Sequence, residues 1–398
     1  MFDVLKLGLA ASIFGSVPPC PLNPSMVYNI PGEVAAKDGG TLVVGDRYWT
    51  SGVPGIGFLG AAKIVDVASG ALLYTVTAND VVDGDLFGWD VGISGNRMIA
   101  GSPGKESTYL FDVVTAQQIA KLAAPNGGKS GSVLAIDGDR IVTAHFSKLH
   151  VFDATSGQHI RQIDLPSLGT SLAIEGGMVL VGCELDASAG AAAGAAYLFN
   201  VETGESLGQL LASDAGPLEW FGRTVKLKDG FAVVGAPGDD NNGVVDRGAT
   251  YVFDARSRTQ LYKLDQNGVG GGVPGTALGV GNGWVASSGS LFSVATGKAV
   301  YRATGGAHAH IGSTELFVGK VRYDLAASDC EGGCCFGSSC VVLLRSQCEA
   351  AQGEYLGIGV DCDSTPCGPA CAADLNGDGV VDAADLTILL GSWGACPG

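Results

Sequence analysis

The sequence predicts an all-β chain whose main body is a seven-bladed β-propeller closed by an N-terminal strand. Three observations predict it: a composition suited to short strands and tight turns, a hairpin phrase recurring along the chain, and a last unit that lacks one strand. The 398 residues are 46% hydrophobic and only 16% charged, with 63 glycines, which suits many buried strands joined by turns and would break the helices of a bundle.

The recurring phrase is KIVDVASGALL at 63, YLFDVVTAQQI at 109, HVFDATSGQHI at 150, YLFNVETGESL at 197, YVFDARSRTQL at 251 and SLFSVATGKAV at 290. Each reads as a strand ending near Asp, a Thr/Ser-Gly turn and a second strand, a β-hairpin. A second pair of short apolar segments precedes the phrase, as in WDVGISGNRMIAG at 89, SVLAIDGDRIVTA at 132 and RTVKLKDGFAVVG at 223, with Gly-Asn, Gly-Asp and Asp-Gly at their turns. Asp66, Asp112, Asp153, Asn200, Asp254 and Ser293 fall 39 to 54 residues apart, the spacing of four-stranded propeller blades and too long for one β-helix coil. The last unit supplies AHIGS at 309, ELFVG at 315 and VRYDLA at 321, and MVYNIPG at 26–32 is expected to add its fourth strand. That pairing makes seven blades closed as a ring, without exposed terminal faces.

The chain then divides into an N-terminal segment (1–24), the propeller (25–327), a cysteine-rich segment (328–368) and a C-terminal loop-helix (369–398). The apolar stretch 7–17 has the length of a signal-peptide core, although Asp3 precedes it. Nine of the eleven cysteines lie between Cys330 and Cys396, the density of small modules stapled by disulfides in an oxidising compartment. Cys334, Cys335, Cys340, Cys348, Cys362 and Cys367 suffice for three bridges whose connectivity stays open. Metal binding by this segment is disfavoured, because two clean Cys-x-x-Cys pairs and a nearby histidine are missing.

The tail ADLNGDGVVDAADLTILLGSWG places Asp374, Asn376, Asp378, Val380, Asp382 and Asp385 at positions 1, 3, 5, 7, 9 and 12 of a calcium loop. Gly379 allows the sharp turn, and Leu386, Ile388, Leu389, Leu390 and Trp393 give the following helix an apolar face. A net charge of -17 and the lack of a Lys/Arg cluster argue against nucleic acid. No apolar run reaches the roughly 18 residues that span a bilayer as a helix.

Residues 26–327 resemble the FG-GAP repeat propellers, the integrin-head type. The best unit is 220–254, with Phe221-Gly222 and Gly235-Ala236-Pro237 in the two name-giving positions; Phe87-Gly88 and Gly101-Ser102-Pro103 occupy them in the second blade, and the third and sixth units carry little of either. Some members bind calcium in the loop after Gly-Ala-Pro, which implies Asp239, Asp240, Asn242 and Asp246 as a weaker calcium set beside the alternative of a polar turn. The tail resembles a single type I dockerin repeat, bracketed by Cys371 and Cys396 like the cysteine-flanked anchors of planctomycete-type surface proteins. That resemblance implies a Cys371–Cys396 bond and a cohesin-like or cell-envelope partner. Dockerins carry two repeats, so a single copy departs from the pattern.

Cys20 and Cys330 flank the two strands expected to close the ring and are expected to pair; the alternative is that Cys20 leaves with a signal peptide and Cys330 joins the tail. Of the five histidines, His308 and His310 share a strand face, without an identifiable third metal ligand. Cys183 reads as a buried apolar side chain. No nucleophile elbow, Walker loop or His-Glu-x-x-His occurs. The expectation is therefore an extracellular or cell-surface bacterial protein, non-enzymatic, presenting propeller loops to a protein or carbohydrate and held by a calcium-dependent tail. The alternative is an extracellular polysaccharide hydrolase or lyase of propeller fold carried by a dockerin.

Overall fold

A computed structural model describes residues 24–27, 34–52, 57–125, 130–240, 247–264, 273–276, 278–281, 283–288 and 290–302, and short strands with Cys348 between 309 and 358. The chain opens with β1 (Pro24–Val27). Blade 1 is β2 (Val34–Asp38), β3 (Thr41–Asp46), β4 (Ala61–Asp66) and β5 (Leu72–Val76); blade 2 is β6 (Val91–Ser94), β7 (Arg97–Ser102), β8 (Ser107–Asp112) and β9 (Gln118–Leu122). Blade 3 is β10 (Val133–Asp137), β11 (Arg140–His145), β12 (Lys148–Asp153) and β13 (His159–Asp164); blade 4 is β14 (Ser171–Glu175), β15 (Met178–Cys183), β16 (Ala195–Asn200) and β17 (Ser206–Leu210). Blade 5 is β18 (Thr224–Lys228), β19 (Phe231–Ala236), β20 (Ala249–Asp254) and β21 (Gln260–Leu264); blade 6 is β22 (Leu278–Gly281), β23 (Trp284–Ser287), β24 (Ser290–Ser293) and β25 (Ala299–Arg302). In each blade the four strands pair antiparallel in chain order.

The expected count of seven therefore resolves into six blades of consecutive strands and one composite sheet. The composite sheet has the order β1-β28-β27-β26, with β26 (Ala309–Ile311), β27 (Glu315–Val318) and β28 (Val321–Asp324). Val27 lies opposite Val321 and Met26 opposite Arg322, so the N-terminal segment supplies the strand expected of it, with 24–27 paired and 28–32 outside the described residues. A register shift between Pro24 and Met26 marks where proline, which lacks an N–H, interrupts the ladder. The first strands of the blades touch in succession, β2 to β6 and on to β22 and β26, and so form the inner layer.

The cysteine-rich segment contains a three-stranded sheet in the order β30-β29-β31, with β29 (Glu331–Phe336), β30 (Ser339–Leu344) and β31 (Glu354–Ile358). Cys335 lies directly opposite Cys340. Cys348 is buried and disulfide-bonded. The calcium loop at 374–385, the apolar stretch 7–17, and Cys20, Cys330, Cys362, Cys367, Cys371, Cys396 and His308 lie outside the described residues.

The core sits between blades. One cluster joins Leu180 and Leu198 of blade 4 to Phe221, Val234 and Tyr251 of blade 5; another joins Val43 and Ile64 of blade 1 to Phe87, Met98 and Phe111 of blade 2. Each fully buried Phe of this kind contributes about 2–3 kcal/mol of burial, so blades gain their stability from neighbours. The Asp that ends the third strand in blades 1, 2, 3 and 5, replaced by Asn200 in blade 4 and Ser293 in blade 6, explains the recurring phrase. Asp112 Oδ1 accepts the Thr115 amide at 2.8 Å and the Thr115 hydroxyl at 3.0 Å, and Asp153 does the same for Ser156 at 2.7 and 2.8 Å. These bonds hold the Asp112 and Asp153 carboxyls below the usual carboxylate range.

Candidate binding face

Strand alternation puts the loops between second and third strands, and those between consecutive blades, at one edge of every blade. The short turns lie at the other edge. Backbone bonds stitch the first set into one surface: Gly84 N–H donates to the Phe58 carbonyl at 3.1 Å, Gly169 to Phe146 at 2.9 Å, Leu218 to Ala191 at 2.9 Å and Gly238 to Glu219 at 3.1 Å.

The Phe-Gly and Gly-Ala-Pro positions build this stitching. Gly222 N–H donates to the Gly235 carbonyl at 3.0 Å within blade 5, and Gly88 N–H to the Gly101 carbonyl at 2.8 Å within blade 2. The carbonyl of the same Gly222 lies against Gly182 of blade 4, and that of Gly88 against Gly45 of blade 1, leaving no room for a Cβ at either contact. Phe221 is buried against Tyr251 and Phe253, with ring centroids 5.4 and 5.9 Å away; Phe87 repeats this with Tyr109 and Phe111 at 5.7 and 5.8 Å. In blade 3, Ala144 stands near the end of the second strand in place of such a glycine.

Beneath this face, blades 2 and 5 repeat a Tyr–Asp–Lys unit that the sequence reading missed. Tyr251 Oη donates its one proton to Asp239 at 2.5 Å and lies 2.9 Å from Asp214, and Lys263 Nζ reaches the same carboxylates at 2.9 and 2.7 Å. In blade 2, Tyr109 Oη donates to Asp80 at 2.7 Å and Lys121 Nζ to Asp80 at 2.6 Å. Burial raises both tyrosine pKa values, and their carboxylate partners raise them further. Only one part of the unit has a local signal: Asp80 and Asp214 each follow the preceding blade's last buried strand residue, Val76 and Leu210, by four positions, ahead of a Tyr in the next third strand. Of the weaker calcium set, Asp239 is buried and committed to Lys263 and Tyr251, so an ammonium already supplies its countercharge. Asp240 is exposed, and Asn242 and Asp246 lie outside the described residues. Glu219, buried beside this unit, has its pKa raised first by burial.

The outer surface of the face carries exposed apolar side chains. Tyr48, Phe58, Phe146, Leu185 and Leu218 are 48 to 66% exposed there, with Val82, Trp220 and Val273 beside them. At the turn edge, Val114 is the one large exposed apolar side chain among the described residues; the remainder lie on β5 and the other fourth strands. Phe146, Leu218 and Trp220 have φ of 52°, 66° and 55°, a left-handed backbone that costs non-glycine residues about 1–3 kcal/mol and clusters at functional surfaces. The Arg47 guanidinium stacks over Trp89 at 4.3 Å and Tyr48 at 5.0 Å, and Tyr48 packs edge-on to Phe58 at 5.4 Å.

Two stretches, 74–111 and 206–253, match the FG-GAP repeat family. They contain both places where Phe-Gly meets its Gly-x-Pro partner and end before the fourth strands of blades 2 and 5. No curated protein matches the chain. Among solved structures, the hydrazine synthase of Kuenenia stuttgartiensis superposes with a TM-score of 0.54 at 12% identity, over 76% of this chain and 96% of that one. The computationally designed Ika8 protein gives 0.47 at 14% identity, over 77% and 98%. The first likeness is one of fold. The FG-GAP repeats on a propeller describe an interaction scaffold, and no helix among the described residues is long and apolar enough to cross a membrane.

On the inner layer, Asp90 accepts the Val91 amide at 3.0 Å and the Leu134 amide at 3.2 Å. Burial pushes its carboxyl up to about 6 against the pull of Lys226 on β18, whose own pKa burial lowers. Cys183 is buried, and burial pushes its thiol up to about 12, which makes it an inert packing residue.

Proposed function

We propose that the protein is a non-enzymatic binding or adhesion protein of the cell exterior that engages a protein or carbohydrate ligand through the loop face of its propeller. The observation that carries this reading is the segregation of exposed Tyr48, Phe58, Phe146, Leu185 and Leu218 to that one face. Monomeric proteins expose contiguous apolar surface chiefly where they bind, and aromatic and long aliphatic anchors supply most interface energy. The composite sheet is read here as the seventh blade, supported by the β1–β28 pairing and the contacts of β26 with β22.

The tail belongs to the same reading. Its ligand spacing, Asp374 through Asp385, supports calcium as the bound ion, and its dockerin-like form supports attachment to a cohesin-like or cell-envelope partner of a bacterial surface. Calorimetry of the full chain with calcium, set against Asp374→Ala with Asp378→Ala, tests it. Heat present in the first and absent in the second is the expected result.

For the face, glycan arrays and purified surface proteins are screened with the full chain, then with Phe58→Ser, Phe146→Ser and Leu218→Ser combined, and with Val114→Ser as the opposite-edge control. The expected result is a ligand lost by the triple variant and kept by the control. Equal binding by the triple variant overturns the reading. The rival, a polysaccharide hydrolase or lyase, draws its support from Asp90, a near-neutral carboxyl facing the charge of Lys226 across the inner layer. Turnover of a polysaccharide that Asp90→Asn abolishes would establish the rival instead.

A further inference from the structure

The first residue of the phrase has the same place in every third strand; blade 6 holds a buried Ser290 there, and blade 3 departs from the carboxylate-paired residues of the other four blades. Blade 1 holds Lys63 there, paired to Asp46 at 2.6 Å; blades 2, 4 and 5 hold Tyr109, Tyr197 and Tyr251, each donating to a carboxylate. Blade 3 holds His150. The loop leading into blade 3, Ala123–Gly131, contains no Asp or Glu, so the carboxylate that serves the tyrosines is missing. Instead His150 Nδ1 lies 3.2 Å from His159 Nε2 on β13. His159 replaces the Gln118 and Gln260 that in blades 2 and 5 bind the amides of Asn79 and Ser213 in the adjoining loops.

We propose that His150 Nδ1 and His159 Nε2 are two ligands of a divalent transition-metal ion of the zinc or copper type, held between blades 2 and 3. Two nitrogens bound at about 2.0–2.1 Å to one tetrahedral ion stand roughly 3.3 Å apart, and about 2.9 Å apart at a square-planar corner. The observed 3.2 Å falls between these values. Both rings are kept neutral at physiological pH, first by burial, so protons do not compete for the nitrogens.

A second observation points to an occupant. Thr143 lies directly opposite His150 across the β11–β12 pair, and its hydroxyl is buried with no partner among the described residues. Buried hydroxyls are seldom left so. A water or hydroxide completing the coordination of a metal at the histidine pair gives Thr143 Oγ1 its partner. Binding needs no net proton loss: the hydrogen shared between the rings moves to the far nitrogen of the ring that carried it. His150 is buried whereas His159 is partly exposed, so entry is from the β13 side. The other groups acting on His150 are His145, Lys148 and Asp164; the Lys148 charge opposes the cation and the Asp164 carboxylate favours it.

The test uses the full chain with His308→Ala and His310→Ala, in excess calcium so that the acidic tail is saturated. Zinc is titrated calorimetrically and copper(II) is followed by pulsed EPR, which counts bound imidazoles. One equivalent with two imidazoles is expected. His159→Gln, which installs the residue of blades 2 and 5, is expected to weaken zinc by more than about tenfold, and His150→Tyr to do likewise. Zinc binding unchanged by both variants, or copper bound through fewer than two imidazoles, overturns the proposal. Melting curves of the metal-free variants show that they are folded, and should both fail to fold, the imidazole count on the unsubstituted pair decides.

Discussion

Lys263 carries more than its share of blade 5, because it neutralises two carboxylates of which Asp239 is only 1% exposed. Removing one partner of a buried pair leaves an uncompensated charge, which costs about 3–5 kcal/mol. Lys263→Met is therefore expected to lower stability by about 3 kcal/mol, and Tyr251→Phe, which removes one donor from the same carboxylates, by about 1–3 kcal/mol. Urea unfolding with unchanged m-value checks both. The histidine pair gives the residue scale its pH dependence. Folding depresses the His150 pKa from 6.5 to about 4, so between these values the unfolded chain binds the extra proton. Stability is full above pH 6.5, falls as pH drops through the window, and levels off below about 4, a loss of about 3 kcal/mol at most. Asp90 acts in the opposite sense, since its carboxyl is raised to about 6 and the folded state keeps that proton longer. His150→Tyr isolates the histidine contribution. Metal-free melting curves from pH 4 to 8 should show a shallower acid limb in that variant, and an unchanged limb would refute the assignment.

At the scale of elements, the contacts between blades are set by backbone against backbone. A Cβ on Gly182 would overlap the Gly222 carbonyl, and one on Gly235 the Gly275 carbonyl, so neither can be accommodated by a side chain turning aside. Gly182→Ala and Gly235→Ala are each expected to cost more than about 3 kcal/mol. Gly40, in the first turn of blade 1, has open space and no left-handed φ, so Gly40→Ala is expected to be neutral or to stabilise by up to about 1 kcal/mol. Chemical denaturation of the three variants separates the two classes. The same elements show what could be read without coordinates. The Asp-x-x-Ser/Thr hairpins were legible because their chemistry is local: Asp153 caps amides two and three residues away. The Phe-Gly and Gly-x-Pro positions were legible as a pattern, but their purpose was not, since Gly182 meets Gly222 only when two blades pack. The Tyr251–Asp214–Asp239–Lys263 unit is spread over 50 residues and two loops, and the loop-face apolar cluster over five blades. No single stretch of sequence carries either.

For the molecule as a whole, the decisive feature is that one sheet is made from both ends of the propeller sequence. β1 and β28 are separated by about 300 residues of chain, and closing a loop of that length is entropically costly, by roughly (3/2)RT ln n. The cost is offset because the pairing gives β28 a neighbour and moves the sheet's edge out to the short strand β1. If the composite sheet is the seventh blade, as proposed above, opening the ring leaves the terminal blades with one covered face each and lowers cooperativity. A chain lacking residues 1–30 is therefore expected to melt at lower temperature and less sharply, with hydrogen exchange of β26–β28 rising before that of blades 3 to 5. Exchange in blade 1 should rise with it, because β2 follows β1 directly. An equally cooperative transition at the original temperature would mean that the β1–β28 pairing contributes nothing to holding the blades together. A stepwise one would place the closing strand, rather than any single blade, at the origin of the molecule's unity.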